Sequence, residues 1–446
     1  MENEGPLPDA RLDARLERLV EQLSKAPEQS IPQACGSVHE MKAAYRFWGN
    51  DRVTHAAIIE TQRVETLARM AGERRVLVIQ DTTSLDFSGH PGTAGLGPLE
   101  NSHGRGFLAH RTVAVSTAGV PLGLLAQQVW TRDEAAVGKR ATRHERPWVE
   151  KESYKWVTGL PTLPTVGPQP VVVCDAEGHI YDFLDVLDDR HLDFIVRAAD
   201  ARSFTADDQA LFAAVAQQPV QAQFTLALKR RPDRAPRDAQ VELRFGSVTL
   251  RRPQRAESQR TTLTLAVVDV IEPNPPPGEE AVHWLLLTSL PVETVAQARQ
   301  ITVWYSYRWL IERFHYVLKS GCKLEERQLR EAARLERLLA VFSLVAWHLL
   351  WLTYQARQTP DAPATVALRP VEWQALYAFV HRTQRLPEAP PSLHQVVRWI
   401  GQLGGFLGRT GDGEPGVKVL WRGWQRLQDI TATWTIISPP KDVGNA

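Results

Sequence analysis

Residues 74–84 read RRVLVIQDTTS, and residues 169–179 read QPVVVCDAEGH. Each stretch runs through consecutive aliphatic residues straight into an aspartate, Asp81 in the first and Asp175 in the second. Apolar residues without alternation indicate a strand covered on both faces, as in a parallel sheet. Neighbouring parallel strands end side by side, where ligands tend to bind. A single aspartate after a strand ordinarily serves a turn. Two of them at adjacent strand ends would repel each other, and a divalent cation would relieve that repulsion. Mg²⁺ typically takes one or two protein carboxylates together with water and phosphate oxygens.

Working outward from these two stretches, 110–117 (HRTVAVST) and 119–130 (GVPLGLLAQQVW) read as strands joined by a turn at Ala118-Gly119. A helix is expected over Arg146 to Leu160, a short one over 179–187 (HIYDFLDVL), and a strand at 193–197 (DFIVR). Strands and helices in this order give a mixed α/β sheet. Residues from about 205 to 290 alternate like antiparallel strands between proline-rich turns and read as an all-β insertion. The first seventy residues are helical: Leu12, Leu16, Leu19, Val20 and Leu23 recur at helical spacing. Lys42, Tyr45, Arg46, Trp48 and Arg52 lie in this part. They suit either a nucleic-acid contact or a bundle that only covers the next domain. Beyond Glu293 the chain is helical again.

The length of 446 residues fits one to three domains. With 43% apolar and 23% charged residues, a mainly disordered chain is excluded. Cys35, Cys174 and Cys322 are too scattered for a zinc site or a disulfide framework, which suggests a reducing, intracellular setting. The charged first residues lack the apolar core of a signal peptide. Residues 338–354 carry no formal charge, but seventeen residues containing Ser343 and His348 fit a buried helix better than a membrane span. Basic and acidic residues nearly cancel, 52 against 51, so any binding of nucleic acid must use local patches. The clearest patch is Lys229 to Arg260, with ten basic and four acidic residues.

Tyr305, Arg308, Glu312 and Lys319 have offsets that would place them within roughly 60° of one another on a continuous helix. Taken alone, Arg308 and Glu312 are an ordinary i,i+4 pair on a solvated face. Their apolar neighbours Trp304, Trp309, Leu310, Ile311 and Phe314 imply partial burial. A phenol, a guanidinium and an ammonium suit a phosphate backbone, and the carboxylate suits a metal.

Tyr-x2-Arg-x3-Glu-x6-Lys resembles the signature of the insertion-sequence-four (IS-four) family of DDE transposases. QDTTSL around Asp81 and CDAEGHIYDFL around Asp175 resemble its two aspartate motifs. KAAYRF, EKESYKW, FIVR, HWLLLTSLPVE and the C-terminal LGGF and LWRGWQRLQ extend the similarity over most of the chain. The resemblance implies an α/β, ribonuclease-H-like mixed-sheet catalytic core with an all-β insertion, flanked by N- and C-terminal helical domains. Residues 1–70 would recognise DNA ends, 71–358 would carry catalysis, and 359–446 would dimerise. Asp81, Asp175 and Glu312 would hold two Mg²⁺ or Mn²⁺ ions; Asp86 and Glu177 lie close by, but strand-end position and motif favour the first two. Tyr305, Arg308 and Lys319 would grip phosphates, Arg197 would lie near the transposon end, and Trp284 would stack on a flipped base. Without the resemblance, Trp284 reads as a core tryptophan. Lys42 and Arg46 would contact DNA.

The implied reaction is cut-and-paste transposition of double-stranded DNA by a homodimer in the bacterial cytoplasm, associated with the nucleoid and needing no membrane. Water nicks one strand, the freed 3′-hydroxyl closes a hairpin, water reopens it, and the 3′-hydroxyl joins target DNA. A stand-alone nuclease and a catalytically retired DNA-binding inhibitor are the competing readings. The three intact carboxylates speak against the second.

Overall fold

The computed structural model describes residues 7–100, 104–134, 146–163, 167–199, 203–228 and 237–437. Four helices come first: α1 (Ala10–Lys25), α2 (Ile31–Cys35), α3 (Val38–Trp48) and α4 (His55–Met70). Asp9, Ser37 and Thr54 cap α1, α3 and α4 by accepting a backbone N–H of the first turn. Leu16, Leu19 and Leu23 give α1 its buried stripe.

The sheet follows: β1 (Arg75–Asp86), β2 (Gly97–Pro98), β3 (Arg105–Ser116), β4 (Pro121–Trp130), then helix α5 (Lys155–Thr158), β5 (Gln169–Cys174), α6 (Tyr181–Asp189) and β6 (Asp193–Arg197). After a six-residue helix α7 (Leu211–Ala216) come β7 (Ala222–Leu228), β8 (Arg237–Arg251), β9 (Thr262–Ile271) and β10 (His283–Thr288). The ten strands among the described residues share one sheet of order β2-β3-β1-β5-β6-β10-β9-β8-β7, with β4 on β3. β1, β5 and β6 are parallel; the remaining pairings are antiparallel. This mixed sheet between helical regions is the ribonuclease-H-like arrangement expected. The turn between β3 and β4 closes at Gly119, whose φ of +84° suits glycine.

Two expectations change. The insertion contains α7 and is not a separate unit, because β10 returns to pair with β6 and so joins the insertion's strands to the core sheet. Residues 146–160 form two 3₁₀ turns (Trp148–Glu150, Glu152–Tyr154) and α5 in place of one helix. The backbone is extended at Lys151 (ψ 146°), and Glu152 is engaged by Arg132 at 2.7 Å.

Side chains alternate between the two sheet faces. Val76, Val78, Val172 and Val196 pack with Trp156 and with Phe183, Leu184 and Leu187 of α6. Leu77, Ile79, Val171, Val173 and Ile195 face the helices that follow. These are α8 (Val295–Ser306), α9 (Trp309–Tyr316) and the 27-residue α10 (Ala332–Gln358), then α11 (Pro370–His381), α12 (Leu393–Leu403) and α13 (Val417–Ile437). α10 is apolar and long enough to cross a bilayer, but 72% of its most apolar window is buried. It packs against α1, α4, α12, α13 and β4. Cys35, Cys174 and Cys322 are buried and free.

Candidate active site

The strand register assembles the site. Ile79 pairs with Val173 in the parallel β1–β5 pair, and Val173 with Ile195 in β5–β6. Two residues further along each strand come Asp81, Asp175 and Arg197. They therefore form one row at the carboxyl ends of three neighbouring strands, on the face that α8–α10 cover. Asp81 accepts its neighbour Thr82 N–H at 2.9 Å, and Asp175 caps a 3₁₀ turn by accepting Glu177 N–H at 2.9 Å.

Glu312 comes from the first turn of α9, and Arg308 is that helix's N-cap. Arg308 Nη1 lies 3.8 Å from Asp81 Oδ2, and its Nη2 donates to Glu312 Oε1. Burial alone would lower the proton affinity of Arg308, but Tyr305, Glu312, Asp81 and Asp175 outweigh it and hold it above its ordinary value. Burial raises the Asp81 carboxyl to about 7; Arg308 opposes this rise, and the charges of Asp175 and Glu312 add to it. The charges of Asp175 and Glu312 thus both act on Asp81, with Arg308 among the three. Among the described residues no three His, Cys, Asp or Glu side chains stand close enough to hold a metal as they are. The donor chemistry nevertheless fits a hard divalent cation: carboxylate oxygens only, in mutual repulsion that a cation would relieve.

Tyr305 is 4% exposed; burial pushes the pKa of its hydroxyl up, and the positive charges of Arg308 and Arg197 oppose that rise. Trp284 is half-buried, its ring 5.2 Å from that of Tyr305 and nearly perpendicular to it (68°). Lys42 and Arg46 are exposed one turn apart on α3.

Lys319 departs from the expected helical face. α8 ends at Ser306 and α9 begins at Trp309, and Lys319 falls in a π-helical turn, Val317–Gly321. That turn shifts the helical phase, and Lys319 Nζ lies 3.5 Å from Glu325, whose carboxylate also accepts the Asp86 N–H at 2.9 Å. The basic stretch is also corrected. Arg237 pairs with Glu272, Arg244 with Glu242 and Asp269, Arg251 with Asp208, and Arg260 with Asp185, Asp188 and Asp189. Its described arginines are therefore largely neutralised within the fold, and 229–236 lies outside the described residues.

Three residues around Asp81 escaped the sequence reading. Arg111, its register partner on β3, is 0% exposed. His315 Nδ1 lies 3.9 Å from Asp81 Oδ2, and burial, followed by the charge of Arg111, keeps this imidazole neutral. His110 bridges Thr82 and Gln80 at 2.9 Å each. The only signal was a polar pair, His110-Arg111, inside an otherwise apolar strand.

Three family models match the chain: Transposase DNA-binding over residues 4–53, Transposase DDE domain over 150–347, and Transposase Tn5 dimerisation domain over 344–434. The first span contains Lys42 and Arg46. The second contains Asp175, Arg197, Trp284, Tyr305, Arg308, Glu312 and Lys319, and begins after Asp81.

Proposed function

This chain belongs to the DDE transposases of the Tn5 type, divalent-metal-dependent enzymes acting on DNA, and from that premise we propose that Asp81, Asp175 and Glu312 are its catalytic carboxylates. The chain binds DNA and forms a homodimer. The observation that carries the proposal is the bridge formed by Arg308, which joins a strand-end aspartate to a helix carboxylate beside the aligned Asp175.

The three carboxylates would hold two Mg²⁺ or Mn²⁺ ions, which when bound supply an activated oxygen nucleophile and stabilise the leaving oxygen. The rest falls to the chain's own residues. Arg308, Arg197 and the Tyr305 hydroxyl would bind backbone phosphate beside the carboxylates, and Lys319 would do so nearer Asp86. The Trp284 ring, half-exposed next to Tyr305, would take an unstacked base when the DNA end bends into a hairpin. Nicking, hairpin closure, reopening and joining then proceed in one site, as a cut-and-paste reaction in the bacterial cytoplasm at the nucleoid. Lys42 and Arg46 on α3 would contact the transposon end. We divide the chain accordingly into end recognition (1–70), catalysis (71–358) and dimerisation (359–446).

The test is Asp175→Asn assayed on duplex DNA carrying the inverted repeats that flank the coding sequence. End binding should persist while strand cleavage disappears. Nicking near the wild-type rate would remove Asp175 from the mechanism. Cleavage by monomers without joined products would favour the stand-alone nuclease.

A further inference from the structure

Two of the carboxylates in this site, Asp81 and Glu312, already face a cationic side chain of the protein. Arg308 reaches Asp81 and Glu312 at once, and Asp175 adds its attraction. An isolated i,i+4 pair on a helix contributes little and would not reach a strand. Arg111 supplies a second, fixed positive charge opposite Asp81. Its two terminal nitrogens are buried without a hydrogen-bond partner among the described residues. Three carboxylates against the guanidinium groups of Arg308, Arg111 and Arg197, which lies in the same row, leave no residual negative charge. Two divalent cations added to that arrangement would give a large positive surplus unless anions arrived with them.

DNA supplies the anions. A guanidinium forms bidentate hydrogen bonds with a phosphate as readily as with a carboxylate. Arg308 sits at a helix start beside Glu312; its own side chain is 13% exposed and that of Glu312 37%, so the pair lies at the edge of the site facing solvent. Arg111, at 0% exposure, does not.

Building on the assignment of Asp81, Asp175 and Glu312 above, we propose that Arg308 is a latch: it occupies the carboxylates in the DNA-free protein, and a DNA phosphate draws it off before divalent cations load. Metal and DNA then bind cooperatively, each favouring the other by the same factor. Hydrolysis is confined to DNA whose phosphate engages Arg308, because DNA-free protein holds little metal.

The test measures binding rather than turnover. Full-length protein is titrated with Mn²⁺, and free Mn²⁺ is read by electron paramagnetic resonance. Wild-type protein without DNA should bind weakly. Arg308→Gln should bind roughly ten- to a hundredfold more tightly, the usual range of such couplings. Arg308→Lys should fall between them. A 5′-phosphorylated duplex, corrected for its own Mn²⁺ binding, should tighten the wild type by a similar factor and Arg308→Gln hardly at all. The wild-type arm needs no variant to fold. Equal Mn²⁺ affinity of wild type and Arg308→Gln without DNA, or no tightening of wild type by the duplex, overturns the latch. Adding Asp175→Asn to Arg308→Gln should abolish the tight binding. If it survives, the ions sit elsewhere and the carboxylate assignment itself fails.

Discussion

Replacing Arg111 with methionine should make the protein more stable and less active. The side chain is fully buried; Nε donates to Gln127, the guanidinium lies 5.6 Å from the Phe314 ring centroid, and Nη1 and Nη2 have no hydrogen-bond partner among the described residues. Burial pushes its pKa down to about 9, partly offset by Asp81. Arginine keeps its proton at neutral pH regardless, so that push is felt as a folding cost. A buried donor left unsatisfied costs about 1–3 kcal/mol. Arg111→Met removes two such nitrogens and keeps a similar length of unbranched chain. It also loses one hydrogen bond of about 1 kcal/mol and the attraction to Asp81. Gln127 Oε1 still accepts from Ser343 at 2.9 Å, so no new orphan is created there. The net expectation is a gain of about 1–3 kcal/mol, because Arg308 still faces the Asp81 carboxylate that loses Arg111. At roughly 2–4 °C per kcal/mol for a unit of this size, the melting temperature should rise by several degrees. Differential scanning calorimetry in EDTA at pH 7, beside a cleavage assay with metal, reads both effects. A lower melting temperature would refute the reasoning, because the charge would then be part of the structural framework and not a cost retained for function.

Trp284→Ala should slow hairpin closure by about tenfold or more, the worth of one base–aromatic stack, while leaving the first nick nearly unchanged. Equal losses at both steps on end-labelled DNA would make Trp284 merely structural. His55 accepts from Gln127 Nε2 at 2.8 Å, and burial, then the Arg111 charge, lowers its pKa from 6.5 to about 4. Between those values the unfolded chain binds a proton that the native state refuses, so stability should fall as pH drops through this window. Melts of His55→Gln should show a shallower acid slope, and an unchanged slope would dismiss this role. Gly423 lies where α12 meets α13: a Cβ there would stand 1.7 Å from Ile400 O, and one at Gly404 would stand 1.8 Å from Val419 O. Gly423→Ala should force the helices apart at a cost of about 1–3 kcal/mol or more, and the dimer fraction by light scattering should drop. A dimer of wild-type affinity would show that this crossing does not support the dimerisation region.

Local pattern carried much of this fold, and distance along the chain explains what it did not carry. The aliphatic runs ending at Asp81 and Asp175 were readable because a strand buried on both faces leaves its mark in consecutive residues. Arg197 falls in the same row because its strand continues the parallel register. The union of β10 with β6 was not readable, since alternation announces a strand without naming its partner. The charge surplus of Lys229 to Arg260 misled for a similar reason. Arg260 is neutralised by Asp185, Asp188 and Asp189, far outside any window in which charges would be counted. Lys319 was misplaced because the angular reading assumed an unbroken helix, and no proline or glycine between Tyr305 and Lys319 marks the π turn that changes the phase. Arg308 shows where such reading stops. Its pairing with Glu312 follows from helical spacing alone, and on that basis it is an ordinary surface pair. Its reach to Asp81, on a strand at the opposite side of the catalytic unit's sequence, changes its chemistry. A guanidinium shared between two carboxylates, with a third acting on it, holds them together as a cation would, and a phosphate can compete for it.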